Sequence, residues 1–397
     1  MTSNPESIGR NPGPTPALRP LDPLDPLDRP NQRTPGASRI RTDITSMSAY
    51  AIQDATGMVK LDAMENPYRL SDEMQARLGA RLGAVAINRY PGSNADDLKA
   101  ALRNYAQIPP AHGITLGNGS DEFISLIAMA CDTRAQTGIP AVILAPLPGF
   151  VMYEMAASHQ GLDFVGVPLT ENFELDEPAM IAAIIEHRPA ITFIAYPNNP
   201  TANLWDAQVI RNIIRAAQTT DGIVVIDEAY QPFSALSWID EVKANPQANV
   251  NVIIMRTLSK FGLAGVRLGY AFGSKELIDE IDKVRPPYNI SSLNIECALF
   301  ALEHAEEFAK QAASIREERG RIIAAINNLP HAIVFPSDAN MILVRLPDAE
   351  ATFAHLKANG ILVKNVSGMH TLLTNCLRLT VGTAEENTLL LAALQST

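Results

Sequence analysis

Lys260 sits in RTLSKFGLAGVRL (residues 256–268), with Ser259 before it and the uncharged run FGLAGV between it and Arg267. An ammonium in such surroundings is either a solvated loop lysine or one whose charge is to be removed, and lysine gives up its charge readily when desolvated. The apolar NVIIM (251–255) upstream reads as a buried strand. Residues 257–260 therefore stand past a strand end, where open α/β sheets hold their ligands. Other polar sets follow apolar runs in the same way. YPNNPT (196–201) follows ITFIA and carries Asn198 and Asn199 in a proline-bounded turn. Asp227, then Glu228 and Tyr230, follow GIVVI. ITLGNGSDEF (114–123) puts Gly117, Gly119 and Ser120 at a helix start, where backbone N–H groups can face an anion. Singly, each has a plainer reading: a helix cap at Asp227, a turn at NNP, a capping segment at GNGSDE. Together, an anion cradle, an acid at a buried strand end, an Asn with a Tyr, and a lysine fit pyridoxal phosphate. The lysine would form a Schiff base with its aldehyde, and the acid would keep its pyridine nitrogen protonated.

Elements must bring these residues together. AVILA (141–145), LDFVGV (162–167), ITFIA (191–195), GIVVID (222–227) and NVIIM (251–255) read as buried strands. Helical patterns such as EPAMIAAIIEH (177–187) and DAQVIRNIIRAAQ (206–218) lie between them. The alternation predicts an α/β fold, a large, mostly parallel sheet with helices on both faces. LGYAFG (268–273) follows Lys260 too closely for a helical crossover and is expected to run antiparallel. After Pro286-Pro287, a helical stretch (292–328) leads to AIVF, MILVRL, ILVKNV and LRLTV, a smaller α+β domain. The expected division is a proline-rich disordered extension (1–46), an N-terminal arm serving the small domain and dimer contacts (47–85), a large cofactor-binding domain (86–285) and a small domain (286–397).

Composition sets the class. The chain has 397 residues, 47% hydrophobic, enough for a large core in two domains. A net charge of −11 and the lack of any basic block exclude a nucleic-acid footprint. Cys131, Cys297 and Cys376 are few and widely spaced, which suggests a reducing compartment without a disulfide framework. No apolar run reaches the roughly 20 residues of a membrane span, and no secretory h-region is visible at the N-terminus. A cytoplasmic protein without a metal site is expected. The Leu-Asp-Pro repeats of residues 21–28 offer no period that could build a core.

YPNNPTAN, IDEAYQPF and RTLSKFGLAGVRLGY resemble, in order, the signature segments of the fold-type I aminotransferases. LDAMENPYRL, NRYPG, GNGSDE and CLRLTVGT resemble the histidinol-phosphate aminotransferases within that family. The resemblance implies a pyridoxal-phosphate enzyme in which Lys260 forms the Schiff base and then moves the proton. Asp227 would pair with the pyridinium, and Asn199 and Tyr230 would bond the ring oxygen. Backbone groups of Ser120 and Asp121, with Thr257, Ser259 and Arg267, would hold the phosphate. Phe150 would stack on the ring where a tyrosine is common. Tyr90 would reach the phosphate of a neighbouring subunit, implying a homodimer with shared sites. Arg378 would grip the substrate anion, with Lys364 as a second cation and Asn66 as a further contact. The implied reaction is a ping-pong exchange of L-histidinol phosphate and 2-oxoglutarate for imidazole-acetol phosphate and L-glutamate, in histidine biosynthesis. Aromatic amino acids, or O-phosphothreonine with decarboxylation, are the alternative substrates. A binding protein that kept only the fold is the alternative class, and retention of lysine, aspartate, tyrosine and arginine together speaks against it.

Some positions depart from the family. Asp62 and Met64 stand where asparagines are common, and the loop from Lys260 to Arg267 is one residue shorter than in many relatives. Ala202 replaces a glycine, which is tolerable where its φ is negative.

Overall fold

A strand with no polar alternation has to be covered on both faces, and Ile191, Thr192, Phe193, Ile194 and Ala195 are all buried. They form an interior strand of a seven-stranded sheet in the computed structural model, which describes residues 36–47, 53–92 and 94–396. After the short β1 (Val59–Lys60), the large sheet is built from β2 (His112–Gly117), β3 (Val142–Leu147), β4 (Asp163–Pro168), β5 (Ile191–Ala195), β6 (Ile223–Asp227), β7 (Val252–Thr257) and β8 (Gly269–Ser274). Their order is β2-β8-β7-β6-β5-β3-β4. Strands β3 to β7 run parallel, and β8 is antiparallel to both β7 and β2, as its short connection requires.

The sheet's side chains alternate between two cores. Ile194, Val224, Ile226, Val252 and Ile254 face one, where the helix Ala207–Thr219 buries Ile210, Ile213, Ile214 and Ala217. Phe193, Val225, Ile253 and Met255 face the other, where the helix Ser120–Ala130 buries Phe123, Ile124, Leu126 and Ile127. Register then sets the site. Ala195, Asp227 and Met255 are level across β5, β6 and β7, so the polar residues that end these strands emerge along one edge. Gly117 pairs with Gly269, which pairs with Thr257, and this brings the Gly-Asn-Gly-Ser turn to the same edge.

The smaller unit holds β9 (Ile333–Val334), β10 (Met341–Arg345), β11 (Ile361–Leu362), β12 (Lys364–Asn365) and β13 (Cys376–Thr380). Four of them form an antiparallel sheet in the order β12-β13-β10-β9, while β11 pairs in parallel with β1. Leu61 and Met64 of the arm are buried in the same core as Ile342, Val344, Leu377 and Leu379. The stretch read as one helix (292–328) is two, Ser292–Glu303 and Ala305–Ile326, broken at His304. Ile295, Ala298 and Ala301 of the first helix pack in the large-sheet core, whereas Ala312, Ile315, Ile322 and Ile326 of the second pack in the small one. The change of core thus falls inside the second helix and not at Pro286-Pro287, because the apolar stripe continues through the break.

Residues 36–47, from a segment read as lacking helical pattern, hold a short turn (Ala37–Arg39) and a helix (Thr42–Ser46) with no buried residue. A local Arg41–Asp43 ion pair supports this helix without any core. The rest of the proline-rich extension, residues 1–35, lies outside the described residues. Among the described residues no helix is long and apolar enough to cross a membrane.

Candidate active site

Asp227 and Glu228 are consecutive, both buried, and meet opposite fates because successive strand side chains point to opposite faces. Glu228 is paired with Arg256 at 2.9 Å and also accepts from Ser237 and the Trp238 amide. Among the described residues Asp227 has no cation partner: its Oδ1 accepts from the Ala229 amide at 3.0 Å and its Oδ2 from the Tyr153 hydroxyl at 2.8 Å. Burial pushes its carboxyl up to about 6, against the pull of those two donors.

Asp227 lines a cleft walled by Met64, Ser120, Asp121, Phe150, Asn199, Tyr230, Thr257, Ser259, Lys260 and Arg267. Lys260 enters from a π-helical turn, Ser259–Leu263, in which Gly262 adopts φ 142. A side chain at Gly262 would strike Phe308 at 2.8 Å, so the shortened loop is closed by this glycine. Lys260 Nζ donates to the Ala63 carbonyl at 2.9 Å. Burial, then the nearby Arg378, lowers its ammonium to about 8, so a neutral amine is within easy reach at physiological pH.

The anion end of the cleft is equally specific. Gly119, at φ 83, precedes the helix Ser120–Ala130 with no side-chain cap, leaving first-turn N–H groups for a ligand. A Cβ on Gly119 would lie 2.6 Å from Arg267 Nη2, so only glycine admits the guanidinium here. Arg267 itself sits at φ 55 and pairs with Asp121 at 3.3 Å. Thr257 Oγ1 lies 2.9 Å from Ser259 Oγ, which adds hydroxyls to the cradle. Opposite, Asn199 Nδ2 donates to the Tyr230 hydroxyl at 3.0 Å, and burial holds that phenol well above its usual range. Phe150 borders the cleft and meets Tyr153 edge-on, with centroids 5.6 Å apart.

These residues fit pyridoxal phosphate on the chemistry of their donors. Uncapped amides, two hydroxyls and an arginine suit a phosphate. A buried carboxylate without a counter-ion suits a ring N–H⁺, and a depressed lysine suits an aldehyde.

The remaining expected residues are placed differently. Arg378 is buried on β13, donating to Asn199 Oδ1 and to the Asp62 carbonyl, each at 2.7 Å. Lys364 is half-buried and directly opposite Arg378 in the β12–β13 pair, but it does not line the cleft. Asn66 does not line it either. Its amide donates to the Phe261 carbonyl and to Gln311 and accepts from the Tyr68 amide, which clamps the arm to the lysine turn. Tyr90 is 77% exposed, stacked on Tyr288 and outside this chain's cleft. Ala202 has φ 68, not the negative value that would make it a free replacement for glycine. It is held there by the Asn198 carbonyl, which accepts its amide at 2.9 Å, and by its burial in the small core.

Two further residues belong to the site. Met64, at φ 50, lines the cleft while its amide donates to Thr380 and its carbonyl accepts from Asn340. Tyr153 stands one helical turn beyond Phe150, a spacing that places both on one face and could have disclosed it.

The description "Aminotransferase class I and II" matches residues 56–394. The chain is 61% identical over 356 residues to the histidinol-phosphate aminotransferase of Methylibium petroleiphilum, covering 90% of this chain and 94% of that protein. It is 58% identical over 368 residues to that of Acidovorax sp. (strain JS42), covering 92% and 99%. The crystal structure of histidinol-phosphate aminotransferase from Sinorhizobium meliloti in complex with pyridoxal-5'-phosphate superposes with a TM-score of 0.75 at 24% identity, covering 90% of this chain and 97% of that one. With the large mixed sheet, the helices on both its faces and this match along most of its length, the chain belongs to the class I and II aminotransferases and has their fold-type I architecture.

Proposed function

We propose that this chain is a pyridoxal-phosphate-dependent transaminase that interconverts L-histidinol phosphate and 2-oxoglutarate with imidazole-acetol phosphate and L-glutamate, in histidine biosynthesis. The observation that carries the reading is the pairing, in one cleft, of a cation-free buried Asp227 with a lysine lowered to about 8. High identity to histidinol-phosphate aminotransferases supports the substrate.

When bound, pyridoxal phosphate supplies an aldehyde that condenses with amines and a protonated ring that draws electrons from the bond being broken. The chain's own residues do the rest. Arg267, Thr257, Ser259 and the amides of residues 120 and 121 hold the phosphate, and Phe150 covers the ring. Asp227 keeps its Oδ atoms ionised against a ring N–H⁺. Asn199 Nδ2 and Tyr230 Oη donate to the ring oxygen. Lys260 Nζ, as a neutral amine, would supply the nucleophile toward that aldehyde and, as a free amine, would carry the proton to and from the substrate carbon. Arg378 holds the substrate anion, which is a phosphate in one half-reaction and the glutamate carboxylate in the other, with Lys364 adding charge for the dianion.

The exposed Tyr90–Tyr288 pair, with exposed Ile87 and Leu293 on the same two segments, supports a homodimer in which Tyr90 serves the partner's phosphate. The arm 47–85 would share in that contact, and a cytoplasmic setting suits free cysteines and a small-molecule biosynthetic role. Assaying glutamate formation from 2-oxoglutarate with L-histidinol phosphate, L-histidinol, L-phenylalanine and O-phosphothreonine tests the reading. Glutamate is expected with L-histidinol phosphate at a kcat/KM far above the others. Comparable use of L-histidinol or L-phenylalanine would leave a transaminase but overturn the substrate.

A further inference from the structure

Tyr153 is 2% exposed, and its hydroxyl donates to Asp227 Oδ2 at 2.8 Å. We propose that Tyr153 is a positioning residue for Asp227, whose hydroxyl both aims the carboxylate into the cleft and keeps it ionised there. The inference deepens the transaminase reading and rests on it for its effect on turnover, but not for its effect on Asp227 itself.

Two aromatic neighbours and the packing of its own helix hold the phenol in place. Its ring lies flat on Phe193 of β5, with centroids 4.4 Å apart and planes 5° apart. Phe150 meets it edge-on at 5.6 Å and 88°. Its helix, Met152–Gln160, packs on the helix Ser120–Ala130 and on β3 and β4, in the core that also contains Phe193. The stack on β5 therefore directs the hydroxyl toward Asp227 on the adjacent β6. Phe150, one turn earlier, is the residue that borders the cleft, so one aromatic pair shapes both the ring wall and the acid.

The second Asp227 donor, the Ala229 amide, reaches only Oδ1. Without Tyr153, Oδ2 would have no donor in a buried setting, and a buried acid in that state protonates. The other ionisable groups facing Asp227 do not substitute for the hydroxyl. Asp121, from the start of the helix Ser120–Ala130, and Glu228, next along β6, both disfavour its charge. Glu228 is itself neutralised by Arg256, Tyr230 is directed to Asn199, and Lys260 is directed to Ala63. Burial keeps the Tyr153 phenol protonated, so it is always a donor. A tyrosine that served only to pack would be replaced by phenylalanine without altering the titration of Asp227.

The test uses the full-length protein and the variants Tyr153→Phe and Asp227→Asn. The carboxylic C=O stretch that disappears in Asp227→Asn is followed by infrared spectroscopy against pH, first without cofactor. In Tyr153→Phe its midpoint is expected to rise by roughly one pH unit or more. Equilibrium dialysis of the loaded protein at pH 7 is expected to show about tenfold weaker retention of pyridoxal phosphate, with the gap closing as pH rises past the new midpoint. An unchanged midpoint, or a loss of retention equal at every pH, would overturn the proposal and leave Tyr153 as packing. Should Tyr153→Phe not fold, 3,5-difluorotyrosine placed at 153 keeps the ring shape and strengthens the donor. The midpoint should then fall, and no movement would overturn the proposal. If the wild-type protein proves to lack transaminase activity while the midpoint still moves, the functional reading fails and the role of Tyr153 stands.

Discussion

Arg378 Nη1 donates to Asn199 Oδ1 at 2.7 Å, joining β13 of the small sheet to the turn after β5 of the large one. Because Asn199 Nδ2 is given to Tyr230, the bond also fixes which way the Asn199 amide faces. Under the proposed function, one arginine would thus serve both the substrate anion and the orientation of a cofactor donor. Arg378→Ala is expected to raise KM for both L-histidinol phosphate and glutamate. Charged hydrogen bonds contribute roughly 1.5–3 kcal/mol, so kcat/KM should fall about ten- to a hundredfold. Lys364→Ala should weaken L-histidinol phosphate more than glutamate, since only the phosphate is a dianion. Steady-state kinetics with each amino donor checks both.

Lys260→Ala is expected to remove turnover, a loss beyond the roughly 10²–10⁴-fold typical of a general base alone. Its effect on stability should depend on pH in a defined way. The lysine's folded pKa is about 8, below the ordinary 10.5, so the folded state is penalised wherever the group is protonated. Wild-type stability relative to the variant should therefore rise between about pH 8 and 10.5 and be flat below that window. Thermal melts of cofactor-free protein across that range read it directly.

Asp227 has the opposite sense. Its folded pKa is raised from 3.8 to about 6, so its stabilising contribution is present below about 4 and lost as pH rises to about 6. Without cofactor, Asp227→Asn should lack that fall and should match or exceed wild-type stability at pH 7. With cofactor present, the order should reverse, because an amide gives the ring N–H⁺ no counter-charge. Melting temperatures with and without pyridoxal phosphate measure both.

Much of this was legible in the chain. Uniformly apolar runs such as ITFIA and GIVVID announced strands covered on both faces, and the polar residues that follow them had to share one sheet edge. What the sequence hid was pairing. Nothing in the dipeptide Asp227-Glu228 says which acid meets Arg256, since the answer lies in the pleat and in a strand nearly thirty residues on. Tyr153 reads as one more aromatic in an apolar helix until β5 places Phe193 beneath it. Asn66 looked like a substrate contact because its type and place suit one, yet the turn at Phe261 claims its amide. The positive φ of Ala202 is set by the small core and by no local sequence signal.

Arg256→Met should be strongly destabilising although the residue lies outside the cleft. It leaves Glu228 buried without its cation, a loss of roughly 3–5 kcal/mol for a broken buried pair. Urea unfolding should show this as a lower midpoint, and Arg256→Met combined with Glu228→Met should recover part of it. Equal instability of the single and double variants would mean that the pair contributes packing only.

Tyr90 is expected to act across subunits. Tyr90→Ala and Lys260→Ala should each be nearly inactive, while mixed dimers refolded from both should regain activity, since one of the two sites then contains Tyr90 and Lys260 together. Recovery of none would place Tyr90 in its own chain's site or in no site.

The most direct test of the central claim is a single turnover without oxo acid. Protein loaded with pyridoxal phosphate is mixed with excess L-histidinol phosphate, and imidazole-acetol phosphate is counted per active site. One equivalent of ketone is expected, its formation absent in Lys260→Ala, and, once unreacted L-histidinol phosphate has been removed, one equivalent of glutamate when 2-oxoglutarate is added. No ketone from L-histidinol phosphate, or ketone without the stored amino group appearing in glutamate, would contradict that claim.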